Sequence, residues 1–471
     1  MTKHVRNRQN INLRRRRFLQ HTCAAGLGST ALFSTLAQLA ATAQAASPAD
    51  DYRALVCLML FGGNDSFNMI VPTDESSYRD YAQIRSNQAL AREALLPIQP
   101  MNTAGRPFGL HPGMPEVKAL FDGGQLAVVA NVGTLVEPVS SRQDLGRGAR
   151  EPLGLFSHSD QQNQWQTSVP DQRLGLGWGG RIADLLGALN TDPSISMNIS
   201  MAGTNVFQTG RTSVEYSIDP EVGIPQGIDP VDDDPFWQRL QGITIDSLMA
   251  QEYQHLLRRT LGQATTRALD GQERFAAALS AQAEPQTEFS DNPVSQSFRS
   301  IARIIGARQA LGARRQIFFV GFGGWDHHDE LLNNHARMLP VVSRALGEFQ
   351  ASLGELGMSD QVTTFTASEF ARTLTSNGNG TDHGWGGNQL VVGGAVDGGR
   401  IVGQFPDLYA DNPLDVGRGR LIPTLSVDAL FAELALWFGV PASDLDRVLP
   451  NIARFYDPTS ASAPIELFRL T

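Results

Sequence analysis

Four short stretches place carboxylate and imidazole groups where a metal ion could be held: Asn64-Asp65, Asp326-His327-His328, Ser368-Glu369 and Asp382-His383. Carboxylate oxygen suits hard divalent cations, and zinc, manganese or iron accept imidazole as well. Carboxylates gathered in one place repel one another and take up protons unless a cation lies between them. Salt bridges are the competing account. Lysine is absent nearby and Arg372 is the one arginine close in sequence, so metal ligation is preferred. Each group also has a plainer reading. Asp65 suits a turn after a strand, Asp329 a helix start, and the glycine-flanked Asp382-His383 a turn. Gly384, Gly386 and Gly387 point to a backbone that comes close to a ligand or another loop. His328 is preferred over His327 as a ligand, with His327 behind it. His335 falls more than two helical turns beyond Asp326 and is expected to be structural, as is His111.

A fifth stretch, Ser157-His158-Ser159, supplies the candidate nucleophile. A hydroxyl at a helix start faces free N–H groups that can hold an anion, and a metal beside it lowers its pKa. A plain helix N-cap is the competing reading of Ser157, and Ser159 is the competing nucleophile.

Elements must bring these stretches together. Ala54 to Phe61, Ile317 to Val320, Gln361 to Ala367 and Leu126 to Val132 read as buried strands. The first three each end directly before one of the acidic loops. Helices are expected from His111-Pro112 to Phe121, from about Asp160, over Gly175 to Leu186, over Val294 to Leu311 and from Glu330, with further helices over Leu339 to Leu356 and Ser426 to Phe438. Leu390 to Val392 is one more strand. Strands alternating with helices predict a three-layer α/β/α sandwich with a mostly parallel sheet, whose crossovers gather the strand-end loops at one edge. Residues 190–292 change character. Ser194 to Met201 and Ser213 to Ile218 read as short exposed strands, and a helical stretch from about Phe236 carries Leu248 and Tyr253. This segment is expected to be an inserted cap over the site.

The formal net charge of the 471 residues is −10. The first 46 carry seven positive side chains and no acid, so removing them leaves −17. That balance argues against a nucleic-acid partner. Arg14 to Arg17, then Phe18-Leu19, precede a mild apolar run from Ala24 to Ala41, and Ala43-Gln44-Ala45 offers cleavage-site spacing. This resembles a twin-arginine signal, which implies the twin-arginine export machinery as a partner and a periplasmic or secreted mature protein from residue 47 onward. An uncleaved membrane anchor is the alternative. No later stretch is long and apolar enough to span a membrane. Cys23 and Cys57 are the two cysteines. The mature chain thus has no internal disulfide, and Cys57 reads as a core residue.

The motifs Asn64-Asp65, Ser157-His158, Gly324-Trp325-Asp326-x-His328, Ser368-Glu369-Phe370-x-Arg372-Thr373 and Gly380-Thr381-Asp382-His383-Gly384 appear in the same order as in the exported domain-of-unknown-function family 1501. That family resembles a branch of the alkaline phosphatase and sulfatase superfamily. The resemblance implies Asp65, Asp326, His328, Glu369, Asp382 and His383 as metal ligands, Ser157 as nucleophile, and His158 or Arg372 as stabilisers of the anion. It implies a divalent metal, zinc, manganese or calcium, and a small-molecule phosphate or sulfate ester as substrate. Two departures stand out: Glu369-Phe370 replaces an Asp-His pair, and no histidine follows His383. No cysteine lies near Ser157 to become a formylglycine. The rival expectation is a binding or assembly protein that keeps the fold with a degenerate site.

Overall fold

The computed structural model describes residues 51–219 and 271–469. The segment expected to be an export signal and most of the helical stretch expected from about Phe236 lie outside the described residues. Strands are numbered in chain order: β1 Arg53–Leu60, β2 Ile70–Pro72, β3 Leu96–Ile98, β4 Phe108–Leu110, β5 Leu126–Gly133, β6 Asn198–Ser200, β7 Tyr216–Ser217, β8 Arg315–Phe322, β9 Val362–Ala367, β10 Gly387–Val392, β11 Ile401–Val402 and β12 Leu425–Ser426. Among the described residues, the helices used below are α1 Glu75–Arg85, α2 Pro115–Asp122, α3 His158–Thr167, α4 Trp178–Leu186, α5 Pro293–Gly306, α6 Leu331–Glu355 and α7 Val427–Phe438.

The central sheet runs β11-β5-β10-β9-β1-β8-β6-β7, with β12 also on β5. β1 lies at its middle and alternates cleanly between two cores, because successive strand side chains point to opposite faces. Ala54, Val56, Leu58 and Leu60 face the core shared with α2, α5 and α6. Leu55, Cys57 and Met59 face the core shared with α4 and α7. The fold is therefore α/β with helices on both faces of a largely parallel sheet. Cys57 is a buried free thiol. Among the described residues no helix is long and apolar enough to cross a membrane.

One sequence expectation is sharpened and two are revised. β10 runs antiparallel to both β5 and β9. Residues 368–386 contain no helix that could carry the chain back across the sheet, so the next strand must run the other way. Asn198 to Ser200 is not an exposed strand: it is buried and pairs with β8 in parallel. The central sheet thus extends through β6 and β7 into the stretch expected to be a cap. Finally, the two helices expected after Asp326 are one, α6, with Pro340 inside it. Its buried positions Leu331, His335, Leu339, Val342 and Leu346 keep the helical three-and-four spacing across the proline.

Candidate metal centre

The carboxyl ends of β1, β8 and β9 lie side by side at one edge of the sheet. Because β10 is reversed, the loop before it enters at this same edge and brings Asp382 and His383. α3 arrives with His158 at its first position. Close packing of these loops depends on glycine at two places. Gly62 has φ of +119°, and a Cβ there would lie 2.5 Å from the Asp326 nitrogen. A Cβ on Gly384 would lie 2.7 Å from the Ala371 carbonyl oxygen, where Arg372 and His383 bridge as in an antiparallel pair. The close approach expected at Gly384 is thus to the backbone after β9.

Asp326 sits at the centre. His158 Nε2 lies 3.4 Å from Asp326 Oδ2, and His383 Nε2 and His328 Nε2 lie 3.3 and 3.1 Å from Oδ1. His328 Nε2 and His383 Nε2 are 3.0 Å apart. The other ring nitrogen of each histidine is engaged. His158 Nδ1 is 2.9 Å from Glu369 Oε1, His328 Nδ1 is 3.1 Å from Asp382 Oδ1, and His383 Nδ1 is 2.8 Å from the Phe156 carbonyl oxygen. An Nδ1–H donated to an oxygen leaves Nε2 as a bare lone pair in a neutral imidazole. Two such lone pairs at 3.0 Å face each other across a gap that a cation would fill. Ligands at 2.0–2.1 Å from a tetrahedral zinc stand roughly 3.3 Å apart, the scale of these spacings. Among the described residues, His158, Asp326 and His383 offer ligand atoms within 4.8 Å of one another. The donor set fits a divalent ion.

The surrounding charges are arranged in keeping with that. Burial alone would raise the Asp326 pKa, but the Arg372 guanidinium, with Nη1 2.6 Å away, and the nearby histidines hold it below the usual carboxylate range. The hydrogen bond that His158 donates to Glu369 raises its pKa, with Asp326 adding to it, so the two carboxylates favour positive charge at this ring. Burial lowers the pKa of His383 and keeps it neutral. Asp326 and His328 are 43% and 45% exposed, so the cluster opens to solvent and leaves room for a further ligand.

The expected site residues divide into layers. Asp326, His328 and His383 are gathered directly. His158, expected as an anion stabiliser, joins them. Glu369 and Asp382, expected as ligands, stand one bond behind, each holding the far nitrogen of a histidine. Glu369 is fully buried, and its Oε1 also accepts from Gly62 N and Gln162 Nε2. Asp65 is drawn off into a fully buried ion pair with Arg85, whose Nη1 also donates to the Thr373 carbonyl. The premise that Arg372 was the one nearby arginine therefore fails: Arg85 is 20 residues from Asp65 and reaches it through α1. Ser157 is the N-cap of α3 and makes no side-chain capping bond. Its hydroxyl lies 3.2 Å from Ser159 Oγ and on the Asp160 carboxylate, not on the cluster. His335 is fully buried among the rings of His111, Trp325 and His327, and burial keeps it neutral. Arg418, which pairs with Asp382, escaped the sequence reading, and its placement between Gly417 and Gly419 was the available signal.

Comparison with known proteins sets this site in a family. Residues 52–418 match the family described as protein of unknown function, DUF1501. The chain belongs to that family. Solved structures similar to this family member include Ps i-CgsB in complex with k-i-k-neocarrahexaose, at 9% identity and TM-score 0.31, covering 86% of this chain and 77% of that one. They include the lipoteichoic acid synthase LtaP from Listeria monocytogenes, at 8% identity and TM-score 0.28, covering 80% and 76%. Wild-type alkaline phosphatase PafA is similar at 10% identity and TM-score 0.27, covering 70% and 64%. Scores this low carry no chemistry from those proteins to this one. A search of curated proteins returned no match.

Proposed function

We propose that this protein is an exported, metal-dependent hydrolase of phosphate or sulfate esters. One observation carries the reading: three imidazole Nε2 atoms converge on the half-exposed Asp326 while their Nδ1 atoms are held by oxygen. Asp326, His158, His328 and His383 would hold the ion, and an imidazole-rich set favours zinc or manganese over calcium, which prefers oxygen. A bound divalent ion supplies Lewis acidity toward an ester oxygen and lowers the pKa of an adjacent hydroxyl or water. Glu369, Asp382 and the Phe156 carbonyl fix the rings, and Arg372 keeps Asp326 ionised. Ser157 is the nucleophile of this reading. It needs a rotation away from Ser159 and Asp160, which no capping bond opposes. Export by the twin-arginine route to the periplasm or beyond fits assembly of the centre before translocation.

The test is elemental analysis of the purified mature protein, with turnover of aryl phosphate and aryl sulfate esters by wild type, Asp326→Ala and Ser157→Ala. About one metal per chain, lost in Asp326→Ala together with turnover, is expected. Absence of stoichiometric metal from the wild type would sink the hydrolase reading. Metal without turnover of either ester would give way to the binding-protein reading. Unchanged turnover in Ser157→Ala would remove that residue as nucleophile.

A further inference from the structure

Arg418 is built into the rim of the centre in a way that folding alone does not ask for. It has φ of +64°, between Gly417 at +114° and Gly419 at +71°. A left-handed non-glycine residue is disfavoured and persists only where its surroundings over-determine it. Here they do. The buried Asp415 Oδ1 accepts from both Gly417 N and Gly419 N, at 2.7 and 2.9 Å, and Thr375 Oγ1 donates to the Arg418 carbonyl at 2.9 Å. The backbone is pinned so that a glycine or asparagine would sit there at lower cost, yet the residue is arginine. Its guanidinium reaches the metal centre, pairing with Asp382 Oδ2 while Asp382 Oδ1 faces His328. The side chain remains 49% exposed.

Charge counting shows what it adds. The cluster and the groups one bond behind it hold three carboxylates, Asp326, Glu369 and Asp382. Against them stand three guanidiniums, Arg372, Arg418 and Arg420, the last donating Nε to the His383 carbonyl. With one divalent cation the balance is two positive charges, and without Arg418 it is one. Arg372 is fully buried and spent on Asp326, and Arg420 lies over the Phe156 ring. Arg418 pairs with Asp382 at the rim and stays half exposed.

We infer that Arg418 is the oxyanion-recognition residue of this site, donating its solvent-facing N–H groups to the tetrahedral phosphate or sulfate group beside the metal. The inference rests on the hydrolase reading and adds the residue that selects the anion. Arginine suits the task because its planar fork offers two parallel donors to such a group, which lysine cannot reproduce.

The experiment uses the metal-loaded mature chain, titrated by calorimetry with inorganic phosphate and, separately, inorganic sulfate. Arg418→Asn keeps a residue that tolerates left-handed backbone while removing the charge. It is expected to weaken oxyanion binding by about tenfold or more, with metal content and melting temperature held at wild-type values. Arg418→Lys is expected to fall between the two. Oxyanion affinity in Arg418→Asn within about twofold of wild type would overturn the inference. Loss of metal in Arg418→Asn would also overturn it, by showing that the arginine serves His328 through Asp382. Failure of the hydrolase reading has a different signature: wild type with full metal that binds neither ion and turns over neither ester.

Discussion

Glu369 was expected to bind metal; its Oε1 stands behind His158, while its buried Oε2 has no hydrogen-bond partner among the described residues. The distinction matters at the level of single atoms. A carboxylate accepting Nδ1–H fixes the imidazole tautomer and makes Nε2 a better donor to a cation. Glu369→Gln keeps the shape and removes the charge, and is expected to weaken metal binding by about 10–100-fold without unfolding the protein. Competition with a chromophoric chelator measures this, and unchanged affinity would mean that Glu369 only fills space. The sequence displayed most of the residue types here. What it could not display was which acid meets metal and which meets histidine, because that depends on a few ångströms of loop placement. Asp65 is the clearest instance. Its position after the first strand suits a ligand, but Arg85 lies one helix later and projects back onto it. A buried carboxylate that loses such a partner is left uncompensated, so Arg85 balances the Asp65 charge through Oδ2, while Oδ1 is buried with no partner among the described residues.

At the scale of elements, α3 carries His158 at one end and is anchored at the other. Its C-cap Ser168, at φ of +55°, donates to Asp428 Oδ1 at 2.7 Å on α7. Asp428 is fully buried, and burial raises its pKa from the ordinary 3.8 to about 6. The folded state therefore holds this proton more tightly than the unfolded chain does. The stabilisation is complete below about pH 4 and is lost as pH rises through about 6, a change on the order of 3 kcal/mol. Asp428→Asn should remove that falling component. Urea unfolding of both proteins at pH 4, 5, 6 and 7 checks it, and parallel pH profiles would refute it. Asp428 was invisible as a buried group in sequence, since an acid at the start of a helix reads as an ordinary first-turn residue. The elements themselves were legible where they are long: β1, β8, β9 and α5 fall where alternation and apolar runs put them. β6 and β7 were placed on the surface because two or three residues carry too little pattern to show that they complete a sheet.

For the whole molecule, the largely parallel sheet explains why residues from positions 158, 326, 328 and 383 meet at one edge, and the reversed β10 explains how the last of them gets there. The order of strands could not be read from the chain, because parallel neighbours are joined only through tertiary packing. β1 lies between β8 and β9, strands that follow it by more than 250 residues.

That long-range convergence gives the centre a second part to play, as a clasp. An ion held by His158, Asp326, His328 and His383 ties together segments that are far apart in the unfolded chain, where no such donor set exists. Binding to the native state alone raises stability by mass action, about 4 kcal/mol when free metal exceeds the dissociation constant by about a thousandfold. Chelation is therefore expected to lower the melting temperature by a few degrees, about 1 °C per kcal/mol for a chain of this length. Calorimetric scans with and without chelator decide it, and superimposable traces would exclude the clasp. Metal supply would then govern how long the folded protein survives.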